Sequence, residues 1–183
     1  MLREKKLKNV SNILSKDEIR LSGLIEESIV DGPGFRFVIF TQGCPKRCFM
    51  CHNAETQSMD GGYVEKLDNI TKKWKGNPLL KGITISGGEP FIQPDKVLYL
   101  IKEAKKDNLD VVIYSGFYYE ELVDRGNKYV LEILKLADYL IDGPFDYKLK
   151  NLNLLFRGSS NQRIIDLKQT YKTKELSFIE TFD

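Results

Sequence analysis

The three cysteines of the chain fall within eight residues, as Cys44, Cys48 and Cys51 at a C-x3-C-x2-C spacing, opened by Gly43 and followed directly by the one histidine, His52. Thiolates this close together in a glycine-led loop can converge on one soft metal centre. Four chemistries compete for the window. A four-iron cluster normally takes four cysteines, so three from a chain with no fourth leave one iron open to another ligand. A Cys3His zinc site is the second, although structural zinc sites usually split their ligands into two pairs across a longer spacer. The third is haem attachment, since Cys48 to His52 match C-x-x-C-H, but that requires export and leaves Cys44 without a role. The last is three buried, inert cysteines, which chance would seldom gather so closely.

A ligand loop needs a frame. Phe35-Arg36-Phe37-Val38-Ile39-Phe40 is aromatic and β-branched, follows the turn signal Asp31-Gly32-Pro33-Gly34, and predicts a buried strand that ends at the cysteine loop. Tyr63, Leu67, Ile70 and Trp74 recur at helical spacing. Gly82 to Ser86 is the next strand, running into Gly87-Gly88-Glu89-Pro90. A helix marked by Val97, Ile101 and Ala104, with Pro94 near its start, precedes a strand at Val111 to Tyr114 that ends at Ser115-Gly116. Val130, Ile133, Leu134 and Ala137 mark another helix before the strand Tyr139-Leu140-Ile141 and the loop Asp142-Gly143-Pro144. Alternating strands and helices predict an α/β fold of parallel βαβ units, with the active site at the carboxyl ends of the strands. A full eight-fold barrel needs at least about 200 residues, so an incomplete, open TIM-type barrel suits a chain of 183.

Residues 1–20 read as a polar leader in which Leu7, Val10 and Leu14 line at most a narrow stripe, 21–168 as the folded domain and 169–183 as a tail. The leader carries six Lys or Arg against three acids, which leaves the remainder balanced at 22 basic and 23 acidic residues. A balanced body without a basic stripe argues against nucleic-acid binding. The chain has no apolar run long enough to span a bilayer and no apolar segment of signal-peptide type, so a cytoplasmic location without membrane association is expected. In that reducing compartment an odd number of cysteines means ligands or catalysis, not disulfides.

The glycine pair Gly87-Gly88 lets main-chain polar groups meet a ligand directly. Together the cysteine loop and Gly87-Gly88-Glu89 closely resemble the radical S-adenosylmethionine enzymes. That resemblance implies a 4Fe-4S cluster held by Cys44, Cys48 and Cys51, with S-adenosylmethionine chelating the fourth iron. It further implies that Gly87, Gly88 and Glu89 contact the methionine moiety and that Met50 and His52 lie against the nucleotide. Reductive cleavage of S-adenosylmethionine would yield a radical able to take a hydrogen atom from a glycine of a partner protein. Such chemistry requires no catalytic side chain beyond the cofactors.

Within that superfamily, Asp31 to Arg36 resembles the enzymes that activate glycyl-radical proteins. Asp142-Gly143-Pro144-Phe145 and the run Arg157-Gly158-Ser159-Ser160-Asn161-Gln162-Arg163 resemble the subgroup acting on anaerobic ribonucleoside-triphosphate reductase. The implied partners are that reductase and a flavodoxin- or ferredoxin-type electron donor. Activation of pyruvate formate-lyase is the rival within the class, and a zinc-binding or electron-transfer module is the rival outside it. An arginine fork suits carboxylates, so Arg157 and Arg163 are expected to take part in recognising the partner.

Overall fold

The computed structural model describes residues 14–182, and among them are eight strands and five α-helices. β1 (Glu18–Ser28), β2 (Arg36–Thr41), β3 (Tyr63–Lys66) and α1 (Leu67–Trp74) lead into β4 (Gly82–Gly87), α2 (Pro94–Lys106), β5 (Asp110–Tyr114) and α3 (Tyr119–Asp124). α4 (Lys128–Leu136), β6 (Tyr139–Asp142), β7 (Arg163–Asp166), α5 (Leu167–Thr173) and β8 (Phe178–Ile179) complete the order. One sheet holds every strand, in the order β3-β1-β2-β4-β5-β6-β7-β8. Its centre, β2, β4, β5 and β6, is parallel, which is the α/β core predicted from the alternation. The sheet ends at β3 and β8 without closing, as an incomplete barrel must.

The flanks differ from the sequence expectation. β1 pairs antiparallel with both β2 and β3, and β7 pairs antiparallel with both β6 and β8, so the sheet is mixed. Tyr63 does not begin a helix. Tyr63 to Lys66 pair with Leu21 to Glu18 as a strand, and α1 starts only at Leu67. β1 opens at Glu18, inside the stretch read as leader, and Ile19 is fully buried. Leu7 and Val10 lie outside the described residues. The tail supplies the rest of α5 and the edge strand β8.

Residues of a strand alternate between its faces, and that period divides the sheet. Phe37 and Ile39 of β2, Ile83 and Ile85 of β4, Val111 and Ile113 of β5 and Leu140 of β6 join one core with Trp74, Val97, Ile101, Ile133 and Leu134 of the helices. The opposite parity puts Val112, Ile141 and Ile164 into a second, smaller cluster with Tyr114 and Phe156. Phe40 and Ser86 are register partners across β2 and β4, and Tyr114 stands opposite Ile141 across β5 and β6. Phe40, Ser86 and Tyr114 are of this second parity, lie near the carboxyl ends of three adjacent parallel strands, and line one cavity.

Candidate active site

That cavity has a volume of about 530 Å³. Cys44, Cys48, Cys51 and His52 line it from the loop after β2, and Gly87 and Gly88 from the end of β4. All three cysteines are free and half-buried. The loop curls through left-handed backbone at Gly43 (φ 94°), Arg47 (φ 48°) and Met50 (φ 55°), so each of the three cysteines follows such a residue. Its base is pinned by Gly43 N–H donating to Thr56 O at 2.8 Å and by Cys44 N–H donating to Gln57 O at 3.2 Å. Burial pushes the Cys44 thiol up, with the Glu89 charge adding to it, against backbone N–H groups of Lys46 and Arg47 that favour the thiolate. Burial and the neighbouring Cys51 raise Cys48, where the Phe145 N–H opposes them.

Backbone N–H donors on two of the sulfurs suit thiolates that carry iron. Three thiolates on one cavity wall, with no fourth cysteine in the chain, suit a four-iron cluster that keeps one iron open to another ligand.

Gly87 and Gly88 do line the cavity, but their tightest neighbours are the protein's own backbone. A Cβ on Gly88 would stand 2.3 Å from Gly43 O, and one on Gly87, at φ +96°, 2.5 Å from Thr41 N. Gly88 N–H donates to Thr41 O and Glu89 N–H to Gly43 O, each at 2.8 Å. The glycine pair is what lets the end of β4 press against the chain entering the cysteine loop. Glu89 itself is fully buried and absent from the cavity wall. Its carboxylate accepts from Gly116 N–H at 2.8 Å, Phe91 N–H at 3.1 Å and the Ser115 hydroxyl at 3.1 Å, joining the ends of β4 and β5. Burial pushes its pKa up to about 7 in spite of those donors. Met50 is 60% exposed and off the wall, whereas His52 lies on it, 5.9 Å from the Phe145 ring.

Of the three remaining motifs, one is folded over a buried arginine and the other two are joined to each other. Arg36 is fully buried, paired with Asp110 at 2.6 Å and donating to Thr84 Oγ1 at 2.7 Å and Pro33 O at 3.1 Å. Thr84 Oγ1 in turn donates to Asp31 O at 2.7 Å. The turn Asp31 to Gly34 is thus folded over Arg36, and Asp31 is set at the edge of the cavity. Opposite it, the run 157–163 knits onto 142–145. Arg163 makes two-toothed contacts with both Asp142 and Glu120, Gln162 Nε2 donates to Gly143 O at 3.2 Å, and Asn161 Nδ2 donates to Pro144 O at 2.7 Å. A Cβ on Gly158 would come within 3.0 Å of the Phe145 ring. Four of the five N–H donors of Arg163, both of its forks included, are therefore engaged inside the molecule. Sequence reasoning missed Lys46, Tyr114, Phe156 and Gln162 as parts of the wall. Lys46 and Gln162 sat inside motifs the sequence had singled out, and Tyr114 was the last residue of a strand, whereas Phe156 carried no signal.

Convergent thiolates at the carboxyl ends of parallel strands, beside a cavity with room for a small molecule, define the class as an iron-sulfur enzyme core. A family model described as a 4Fe-4S single cluster domain matches residues 30–165. The chain is 30% identical over 149 residues to the anaerobic ribonucleoside-triphosphate reductase-activating protein of Escherichia coli strain K12, covering 76% of this chain and 94% of that one. It is 28% identical over 141 residues to the protein of the same name from Enterobacteria phage T4, covering 74% and 86%. It is 33% identical over 128 residues to the pyruvate formate-lyase-activating enzyme of Clostridium pasteurianum, of which the chain spans only 54%. The chain belongs to the family of radical S-adenosylmethionine activating proteins with a single 4Fe-4S cluster. That membership makes the cluster and S-adenosylmethionine its cofactors. Among the described residues no helix is long and apolar enough to cross a membrane.

Proposed function

We propose that this protein activates an anaerobic ribonucleoside-triphosphate reductase by generating a glycyl radical on it. The observation that carries the proposal is the placement of Cys44, Cys48 and Cys51 around one cavity with Gly87 and Gly88, at the carboxyl ends of β2 and β4. The three cysteines would hold the cluster, and the volume left beside them, walled by His52, Ser86 and Tyr114, would take S-adenosylmethionine. The chemistry these groups supply when bound is one-electron cleavage of a carbon–sulfur bond, with a hydrogen atom taken from a glycine of the partner. The chain's own part is to hold, orient and shield. Backbone N–H groups at Cys44 and Cys48 oppose the burial that raises those two thiols, and the apolar faces of Phe40, Phe145 and Phe156 keep water from a reactive centre. A flavodoxin- or ferredoxin-type protein is the proposed electron donor, and the proposed setting is the cytoplasm.

The reductase is preferred because alignment with its activating proteins runs over nearly their whole length. A second reading, activation of pyruvate formate-lyase, is supported by the 33% identity to an activator of that enzyme. Anaerobically reconstituted protein, a reductant and S-adenosylmethionine are mixed with each candidate partner, and electron paramagnetic resonance is recorded. A glycyl radical on the reductase is expected. A radical on the formate-lyase alone would transfer the assignment, and no cleavage of S-adenosylmethionine at all would remove it.

A further inference from the structure

Beyond residue 165, where the match to the family model ends, the chain continues through α5 and β8 to Phe182. β8 pairs with β7, Ile179 opposite Ile164 and Phe178 opposite Ile165, and this delivers Glu180 and Phe182 to the outer side of the cavity wall. There Phe182 packs edge-on against Phe156 at 5.3 Å and against Tyr139 at 4.8 Å between ring centres. Two residues earlier, the Glu180 carboxylate accepts from Arg157 Nη2 at 2.9 Å, and the Glu180 carbonyl lies 3.4 Å from the same nitrogen. Phe156 and Arg157 are neighbours on the cavity wall.

Both need holding. Phe156 has φ 60°, a left-handed conformation that a bulky side chain adopts only when its surroundings over-determine it. Tyr114 supplies one restraint, its hydroxyl donating to Phe156 O at 2.9 Å, and the Phe182 ring supplies another. The Arg157 side chain is only 9% exposed, while its partner Glu180 is 88% exposed. The guanidinium is thus pulled against the wall by a carboxylate that reaches in from the surface. Its Nη1 donates to Gln162 O at 3.2 Å, and Gln162 also lines the cavity.

We propose that the C-terminal stretch is a strap in which Glu180 and Phe182 act as positioning residues, holding Arg157 and Phe156 in the cavity wall and so setting the affinity for S-adenosylmethionine. This rests on the assignment of the cavity to that cofactor. Phe182→Ala and Glu180→Ala are made in the full chain, which is then reconstituted with iron and sulfide. Each variant should keep the wild-type iron content. The Kd for S-adenosylmethionine should rise, about tenfold for Phe182→Ala and about threefold for Glu180→Ala. In partner-free cleavage KM should rise while kcat holds, and Phe182→Tyr should restore the affinity. Amide hydrogen exchange of residues 145–158, read without ligand, should accelerate in Phe182→Ala. An unchanged Kd in both variants would overturn the role in affinity, and unchanged exchange would overturn the strap itself. If wild-type protein does not bind S-adenosylmethionine, the assignment of the cavity fails, and the exchange experiment still decides whether the tail holds the wall.

Discussion

The two sides of the cavity are built by different means. The near side, Gly43 to Cys51 with Gly87 to Glu89, is backbone pressed on backbone, with glycines where a Cβ would have to pass through a carbonyl. The far side, Asp142 to Phe145 with Phe156 to Arg163, is held by side chains that reach across a 10-residue excursion between them to make hydrogen bonds and ion pairs. A backbone contact tolerates no substitute, whereas a side-chain contact can be weakened by degrees. Substitutions on the near side should therefore act almost all or none on the cofactor site, and those on the far side should be graded.

The largest effect is expected for Cys44→Ala, Cys48→Ala or Cys51→Ala, each of which should abolish cluster assembly, because two thiolates cannot hold the cubane as three do. Iron content and visible absorption after reconstitution measure it. A variant of any one cysteine that retained the cluster and cleavage would show the ligand set to be wrong. Next comes Gly88→Ala. Its Cβ would meet Gly43 O at 2.3 Å, so the residue just ahead of Cys44 must move, at about 3 kcal/mol of stability, and cluster content should fall with it. Gly23 on β1 has open space instead, with nothing within 4 Å of the position a Cβ would take, so Gly23→Ala should stay within about 0.5 kcal/mol of the parent. Thermal unfolding of the two variants side by side separates a demand of the site from a general intolerance of glycine substitution.

Glu89 adds a pH dependence to the near side. Its pKa is raised from 4.5 to about 7 by burial, so the native state binds that proton more tightly than the unfolded chain does. The stabilisation is fully present below about pH 4.5 and is lost as pH rises through about 7, on the order of 3 kcal/mol in all. Glu89→Gln keeps an acceptor for Gly116 and Ser115 but cannot ionise. Denaturant midpoints of the iron-free proteins at pH 5 and pH 8 should fall less in the variant than in the parent. Equal falls would mean that Glu89 titrates as an ordinary carboxylate.

The same contrast explains what could be read before the structure. The near side lies in two short windows, because a loop of convergent thiolates and a glycine step are local demands that must be met within a few residues. The parallel strands β2, β4, β5 and β6 were equally readable, since burial on both faces leaves continuous apolar runs. β3 and β8 were not. Tyr63 to Lys66 is exposed along most of its length and belongs to the sheet only through its pairing with Glu18 to Leu21, which no periodicity reveals. The roles of the far-side motifs were hidden for a related reason. Asp142 and Arg163 lie 21 residues apart and meet only as register partners of antiparallel strands, so an arginine that looked free for a partner is bound within the fold.

Arg163 supplies the smallest and most finely divided test, because its guanidinium holds two carboxylates in unlike settings. Asp142 is fully buried, and it also accepts from Tyr119 N–H at 2.7 Å. Glu120 is half-exposed, at 52% of its side chain. Breaking a buried pair leaves a charge without compensation, which costs about 3 kcal/mol or more in a dry site, but Arg163 is itself 27% exposed, and water entering beside Asp142 reduces that to about 2 kcal/mol. The solvated contact to Glu120 contributes about 0.5 kcal/mol. Arg163→Met should therefore lower stability by about 2 kcal/mol and Glu120→Gln by roughly a quarter of that, both read from denaturant midpoints. In the Arg163→Met background, Asp142→Asn should recover part of the loss, since it removes the stranded charge while keeping an acceptor for Tyr119. Equal losses for Arg163→Met and Glu120→Gln would show that the buried carboxylate is not what anchors the far wall, and the graded behaviour expected of that side would fail with it.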